Sequence, residues 1–292
     1  MRIRDSKADH RFNIIMNVLM GTILLAILYP LYFVIIASFS NPDLTYAGKV
    51  VLWPKDITFA GYSTILNNNR LWTSYGNTIL YTTIGTAFNL LLTLPAAYAL
   101  SRRYFKARKV INLVILMTMF FSGGMIPTFL LVKSLGLLNS MWALVFVSGV
   151  SVWNLIIART FFSGNLPDEI EESAFLDGCS QIRFFFSIAL PLSKVIIVVL
   201  GLFYGISHWN GYFNAMIYLN TPSKQPLQLF LRDILVQQQT LAMEPGMGAN
   251  FINKSTLIKY AVIVVACGPV LVIYPFLQNY FVKGVMIGSV KG

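Results

Sequence analysis

The chain has 292 residues, of which 56% are hydrophobic and only 11% charged, and its mean hydropathy is +0.67. Soluble domains carry about 25% charged residues, and about 20 apolar residues cross a hydrocarbon core; this chain holds several such runs, so it is an integral membrane protein. The formal net charge of +11 is not laid out as a basic stripe interleaved with aromatics on a polar face, which excludes nucleic acid as the natural partner.

In chain order, the N-terminus carries Arg2, Arg4, Lys7 and Arg11 before an apolar run at about 13–37. A secretory h-region is about 7–15 residues, so this longer run is expected to be a retained first span. A polar segment at 38–76 follows, then a second span at about 77–101. The turn after it holds Arg102, Arg103, Lys106, Arg108 and Lys109. A third span, about 110–132, is interrupted by Gly123, Gly124 and Pro127, and a fourth runs over about 140–162. The loop between these two holds only Lys133.

Segment 163–193 contains an acidic island. Five of the chain's 11 acids fall within ten residues: Asp168, Glu169, Glu171, Glu172 and Asp177. Pro167 and these carboxylates mark a helix start, because proline suits the first turn and carboxylates favour the positive end of the helix dipole. Ile170, Ala174, Asp177 and Gly178 would share one face, with Ala174 and Gly178 small enough for close approach by a neighbour. Apolar residues resume at Phe184, Phe185, Phe186, Ile188 and Leu190, and Pro191 is expected to stop or turn the chain. The plain alternative is a solvated loop that merely joins two spans. The fifth span is expected at about 194–218, a second polar segment at 219–256, and the sixth span at about 257–282.

Lys and Arg collect in short cytoplasmic loops. The N-terminus, the 102–109 turn, the 163–193 loop and the C-terminus are therefore expected in the cytoplasm, and segments 38–76 and 219–256 outside. The architecture that follows is an all-α polytopic membrane protein with about six transmembrane helices and both termini cytoplasmic.

Absences narrow the class. No Asp or Glu lies in the middle of a span, whereas ion-coupled carriers usually keep such groups because a buried charge is expensive and functional. His10 and His208 form no metal-like pair, and no nucleotide-binding or nucleophile-elbow motif occurs, so no metal, cofactor or catalytic constellation is expected. Cys179 and Cys267 read as two unpaired thiols. If the chain transports, energy must enter from a partner; the competing reading is a stand-alone secondary carrier or channel.

The acidic segment resembles the cytoplasmic loop of ATP-binding-cassette importer permeases, whose pattern is E-A-A, three residues, Gly, nine residues, I-x-L-P. Glu172, Ser173 and Ala174 occupy the first three positions, Gly178 follows, and Ile188, Ala189, Leu190 and Pro191 complete it. Ser173 is the one departure, and Asp177 before Gly178 is similar to the sugar-importing branch. WNGYFNAMIYL at 209–219 resembles a stretch of maltose-type permeases, as does the C-terminal NYFVKGVMIGSVKG, where Asn279 replaces the family's Arg.

This resemblance implies a type I importer permease fold and a multi-pass place in a bacterial plasma membrane. It implies a second homologous permease, two ATPase subunits that hold ATP and Mg, and an extracellular solute-binding protein that delivers a carbohydrate, expected to be an oligosaccharide. Glu172, Ser173, Ala174, Asp177, Gly178, Ile188, Leu190 and Pro191 would couple the chain to the ATPase. The cytoplasmic tail at 283–292, with Val290, Lys291 and Gly292, would reach the ATPase, and 219–256 would face the binding protein. Trp209, Asn210, Tyr212 and Asn214, expected at the outer part of span five, are candidates for the substrate pathway, since aromatic faces stack on sugars and amides bond hydroxyls.

Overall fold

The computed structural model describes residues 7–242, 258–272 and 275. The tail residues Val290, Lys291 and Gly292 lie outside the described residues. The chain runs through α1 (Lys7–Ser38), α2 (Pro42–Tyr46), α3 (Ala60–Leu66), α4 (Asn69–Ser101), α5 (Arg108–Phe120), α6 (Met125–Ser134), α7 (Met141–Val147) and α8 (Val152–Asn165). It continues through α9 (Asp168–Leu176), α10 (Gln181–Phe184), a π-turn (Phe185–Ala189), α11 (Leu190–Leu192), α12 (Lys194–Trp209), α13 (Phe213–Tyr218), a 3-10 turn (Pro222–Lys224) and α14 (Leu227–Ala242). A further apolar helix, α15, covers Ile258–Val272. Each of the six expected spans contains helix, and the third, fourth and fifth are interrupted.

Two compact units result, one from 1–68 with 233–269, the other from 69–232 with 270–292. In the first, α1 exposes Leu24, Leu25, Ile27 and Leu31, as expected of a helix solvated by lipid. The segment after it, read from sequence as a loop, is tied down by side chains. Tyr29 Oη donates to the Val51 carbonyl at 3.3 Å, Tyr32 Oη bonds the Leu52 carbonyl, and Ser38 Oγ meets Tyr62 Oη at 2.8 Å.

In the second unit α4 is the central post, packed by α8 on one side and α12 on another. Up to Thr93 its buried positions are Leu71, Ser74, Thr78, Tyr81, Gly85, Asn89 and Thr93, spaced by three or four residues along one stripe. That stripe is more polar than the outward-facing Ile79, Leu80, Leu91 and Leu92. This inversion of a soluble core fits a lipid solvent, where small and polar residues hold helices together.

Three of the expected spans are bent. The third turns by 110° between α5 and α6. Gly124 at the turn has φ +86°, a conformation open to glycine, while Pro127 sits in the first turn of α6, where its missing N–H removes no helical bond. The fourth, expected to be continuous, breaks between α7 and α8 with a 54° bend. The fifth is α12 and α13, separated at 210–212, and the connector Gln181–Leu192 enters it with an 81° turn. That turn falls at Ser193, two residues after Pro191, which lies near the end of the helical connector.

Segment 219–256, read as a loop, contains α14, in which Leu227, Leu229, Phe230 and Leu231 are buried. Its N-terminal approach is clamped. Asn77 Nδ2 donates to the Ser223 and Gln225 carbonyls at 2.8 and 3.1 Å, Tyr81 Oη donates to Lys224 O at 2.9 Å, and Leu227 N–H donates to Thr78 Oγ1 at 2.7 Å.

Candidate functional site

Two places on the second unit gather the candidate residues. The first is α9 and the turn after it. Asp168, Glu169 and Glu171 all stand in the first turn of α9, as dipole chemistry favours. The buried acid is Glu171, 4% exposed, not its neighbour Glu172, which is exposed. Glu171 accepts from Tyr98 Oη at 2.6 Å, from Tyr104 Oη at 3.2 Å and from Arg102 Nη1 at 3.2 Å.

Arg102 is itself 1% exposed. Its Nη2 donates to Phe162 O at 2.8 Å, Nη1 to Leu166 O at 3.3 Å and Nε to Ser101 Oγ at 2.9 Å, and its guanidinium lies 5.2 Å from the Tyr98 ring centre. Arg103 adds an outer pair, Nε to Asp168 Oδ2 at 3.1 Å. Burial, and then the charge on Glu171, push the Tyr104 phenol pKa upward, so it stays protonated and donating through the physiological range. One arginine from the end of α4 thus ties the C-terminal end of α8 to the first turn of α9.

Sequence reasoning missed this cluster, because nothing local distinguishes Glu171 from Glu172. The face assigned to Ala174 and Gly178 also divides. Ala174 is buried in this chain's own core with Phe162, Leu166, Phe184 and Phe185, so it is not on an open face. The helical phase that buries Glu171 also turns Ala174, three residues on, inward.

Gly178 is exposed and a Cβ there would meet nothing within 4 Å, but its φ is +78°. Its glycine therefore serves the backbone turn, in which Cys179 N–H bonds back to Ala174 O at 2.9 Å. Gly178→Val should lower stability by about 1–2 kcal/mol, with Gly178→Asn losing less because Asn tolerates that region. Thermal unfolding of the detergent-solubilised protein measures both, and equal midpoints for Val and Gly would refute the backbone explanation.

Ser173, Asp177 and Pro191 are exposed, and Ile188 and Leu190 are half-buried against the core that holds Phe184 and Phe185. Leu176 at the end of α9 is 89% exposed and Ile182 beyond the turn 73% exposed. The result is a short helix fixed on its inner side and apolar at its outer tip.

The second place is where the fourth and fifth spans break. The span-four break lies beside Asn89 of α4, about 30 Å from its Asn69 end, and the span-five break shares a cavity lining with Thr78 and Tyr81, about 14–18 Å from that end at 1.5 Å per residue. Asn89 is fully buried and its Nδ2 donates to the Ser148 and Gly149 carbonyls, at 2.5 and 2.7 Å, which the break leaves free. Its Oδ1 meets His208 Nε2 at 2.6 Å. Because Asn89 spends its amide hydrogens on two carbonyls, Nε2 must carry the proton that bridges them. A Cβ on Gly85 would fall 2.6 Å from the His208 ring, so only glycine leaves room for it. Tyr204 Oη accepts from Ser151 N–H at 3.2 Å and pairs with Thr93 Oγ1 at 2.7 Å.

A cavity of about 290 Å³ at this level is lined by Asn210, Tyr212 and Asn214, three of the four expected pathway residues. Trp209 is outside that lining; it is 9% exposed, with its ring 6.5 Å from that of Tyr75 and no acceptor for Nε1 among the described residues. Arg159, nearly two turns before the end of α8, was passed over in the sequence because only acids were sought in the spans. Its Nε is buried without a partner among the described residues.

A model of the family described as binding-protein-dependent transport system inner membrane component matches residues 74–287. The chain is 39% identical over 290 residues to Protein LplC of Bacillus subtilis, covering 99% of this chain and 98% of that protein. It is 42% identical over 264 residues to the polygalacturonan/rhamnogalacturonan transport system permease protein YtcP of Bacillus subtilis, covering 90% and 92%. A crystal structure of a bacterial ABC transporter involved in the import of the acidic polysaccharide alginate superposes with a TM-score of 0.85 at 33% identity, covering 96% of this chain and 99% of that one.

Proposed function

Because this chain belongs to the family of inner membrane components of binding-protein-dependent transport systems, we propose that it lines, with a second homologous permease, the pathway of an ATP-driven importer for an oligosaccharide. It is a membrane permease, not a stand-alone carrier or channel. Carbohydrate cargo is supported by the relative named for polygalacturonan/rhamnogalacturonan transport and the structural neighbour involved in alginate import, and by the amide and phenol groups of Asn210, Tyr212 and Asn214 on the cavity between the broken helices.

The chain itself hydrolyses nothing. Two ATPase subunits hold ATP and Mg, and an external binding protein delivers the sugar. By the distribution of Lys and Arg, α9 and the 102–109 turn face the cytoplasm. The observation that carries the coupling role is the pose of α9: Glu171 and Arg102 fix its inner face, and Leu176 stands free at its end. Such a helix fits a groove on an ATPase. Glu172, Ser173 and Asp177 would rim that contact, while Ile188, Leu190 and Pro191 seat its base. Closure of the ATPase pair on ATP would then pull on a rigid lever and bias the permease between inward- and outward-open states.

Leu176→Asp tests this, since the side chain touches little in this chain and its replacement leaves the fold alone. The substitution should strip the ATPase from the purified complex and reduce sugar uptake at least about tenfold, the effect of placing a charge in an apolar contact. Full uptake with the ATPase still bound would remove α9 as the coupling element.

A further inference from the structure

The second cavity at the level of the helix breaks has about 480 Å³ and is lined by Ser148, Ser151, Asn154, Tyr204, Ser207 and His208, among others. Resting on the importer reading above, we propose that it is a carboxylate subsite, through which this chain recognises the uronic-acid groups of an acidic oligosaccharide.

The helix α8 begins inside it. Ser151 is the N-cap, its Oγ accepting from Asn154 N–H at 3.4 Å. Leu155 N–H bonds Ser151 O at 2.9 Å, whereas the N–H groups of Val152 and Trp153 meet no acceptor among the described residues. Open N–H groups and the positive end of a 14-residue helix make an anion-favouring surface.

Asn154 is the independent observation. It is a polar side chain only 6% exposed, it lines the cavity, and its amide has no hydrogen-bond partner among the described residues. What remains open of this side chain faces the cavity, so its amide is free to bond a ligand there. No Asp or Glu lines either this cavity or the neighbouring one, so nothing repels an anion. His208 sets its Nε2–H on Asn89 and also lines the cavity as a neutral polar ring. A broken span whose half-helix N-terminus faces a cavity is how membrane transporters meet anionic groups of a cargo near the bilayer midplane.

The charge on the cargo makes the test. The complete importer, with its partner permease, ATPase and binding protein, is assayed for ATP-dependent uptake of trigalacturonate and of neutral galactotriose. Asn154→Ala and Asn154→Asp are compared at equal membrane abundance. A like charge facing the carboxylate should drop trigalacturonate uptake by Asn154→Asp at least about tenfold below that of Asn154→Ala, while galactotriose, if carried, separates the two variants by less than about twofold. Equal trigalacturonate uptake by the two variants overturns the subsite. An importer that carries galactotriose but no trigalacturonate overturns it too and leaves the importer reading standing. An importer that carries neither overturns it as well, and the importer reading then rests on the Leu176→Asp result.

Discussion

Arg102→Ala is expected to be among the most damaging single substitutions in the chain, at about 3–5 kcal/mol, because it leaves the Glu171 carboxylate buried without its countercharge. It also strands the Phe162 and Leu166 carbonyls, which the guanidinium now satisfies. Both sit at the end of α8, so α9 loses its seat. Glu171→Gln should be milder: it keeps an acceptor for Tyr98 and Tyr104 and removes the charge, but leaves Arg102 only Asp168 nearby, at 3.7 Å. Removing both partners as Arg102→Met with Glu171→Leu should recover part of the loss, since no lone charge then remains inside. The unfolding midpoint of the detergent-solubilised complex gives stability, and uptake per folded molecule gives coupling. A double variant as unstable as Arg102→Ala alone would mean that the burial of charge is not what the pair controls. The coupling prediction is separate: Glu171→Gln, if it folds, should retain ATPase binding but transmit its closure less well, because the lever is loosened and not lost.

How much of this was legible beforehand depends on the range of the interaction that decides it. The apolar runs, the interruption at Gly123 and Gly124 and the helix start at Asp168 are set by neighbours in sequence, and each appears where it was expected. The burial of Phe184 and Phe185 followed from the return of apolar residues after the acidic island. The choice between Glu171 and Glu172 was not legible. It is made by Arg102, 69 residues away, and a one-residue change of phase would have exchanged them. The same distance effect hid the role of Ala174. The break in span four has weak local signals, Gly149 and the Ser151 cap, inside an otherwise apolar run. What makes it stable is Asn89 from α4 and Tyr204 from α12, which no local pattern contains. Trp209, read as a pathway aromatic from its neighbours, stands at the end of α12 with its ring 6.5 Å from that of Tyr75, a pairing no local pattern contains.

Asn89→Leu is the sharper probe of that break. Leu keeps the branching of Asn and opens no cavity, and the expected loss combines the lost hydrogen bonds with the crowding of methyl groups against the Ser148 and Gly149 oxygens. Three groups would be orphaned in a buried site: the Ser148 and Gly149 carbonyls and the His208 Nε2–H. Each unsatisfied group costs about 1–3 kcal/mol, so the total is several kcal/mol and comparable to the whole stability of many domains. Water entering the cavities would reduce it, and lipid cannot, since hydrocarbon offers no donors or acceptors. The expected result is a sharp fall in folded protein in the membrane, read by the monodisperse fraction after detergent extraction. Asn89→Asp should fail for a different reason: it keeps an acceptor for His208 but turns a donor to two carbonyls into an acceptor. His208→Gln should rescue nothing in either variant, because the broken contacts to α7 remain. If Asn89→Leu folds as well as the parent, the two half-helices are held by their flanking turns instead, and α4 is not the post on which the pathway is built.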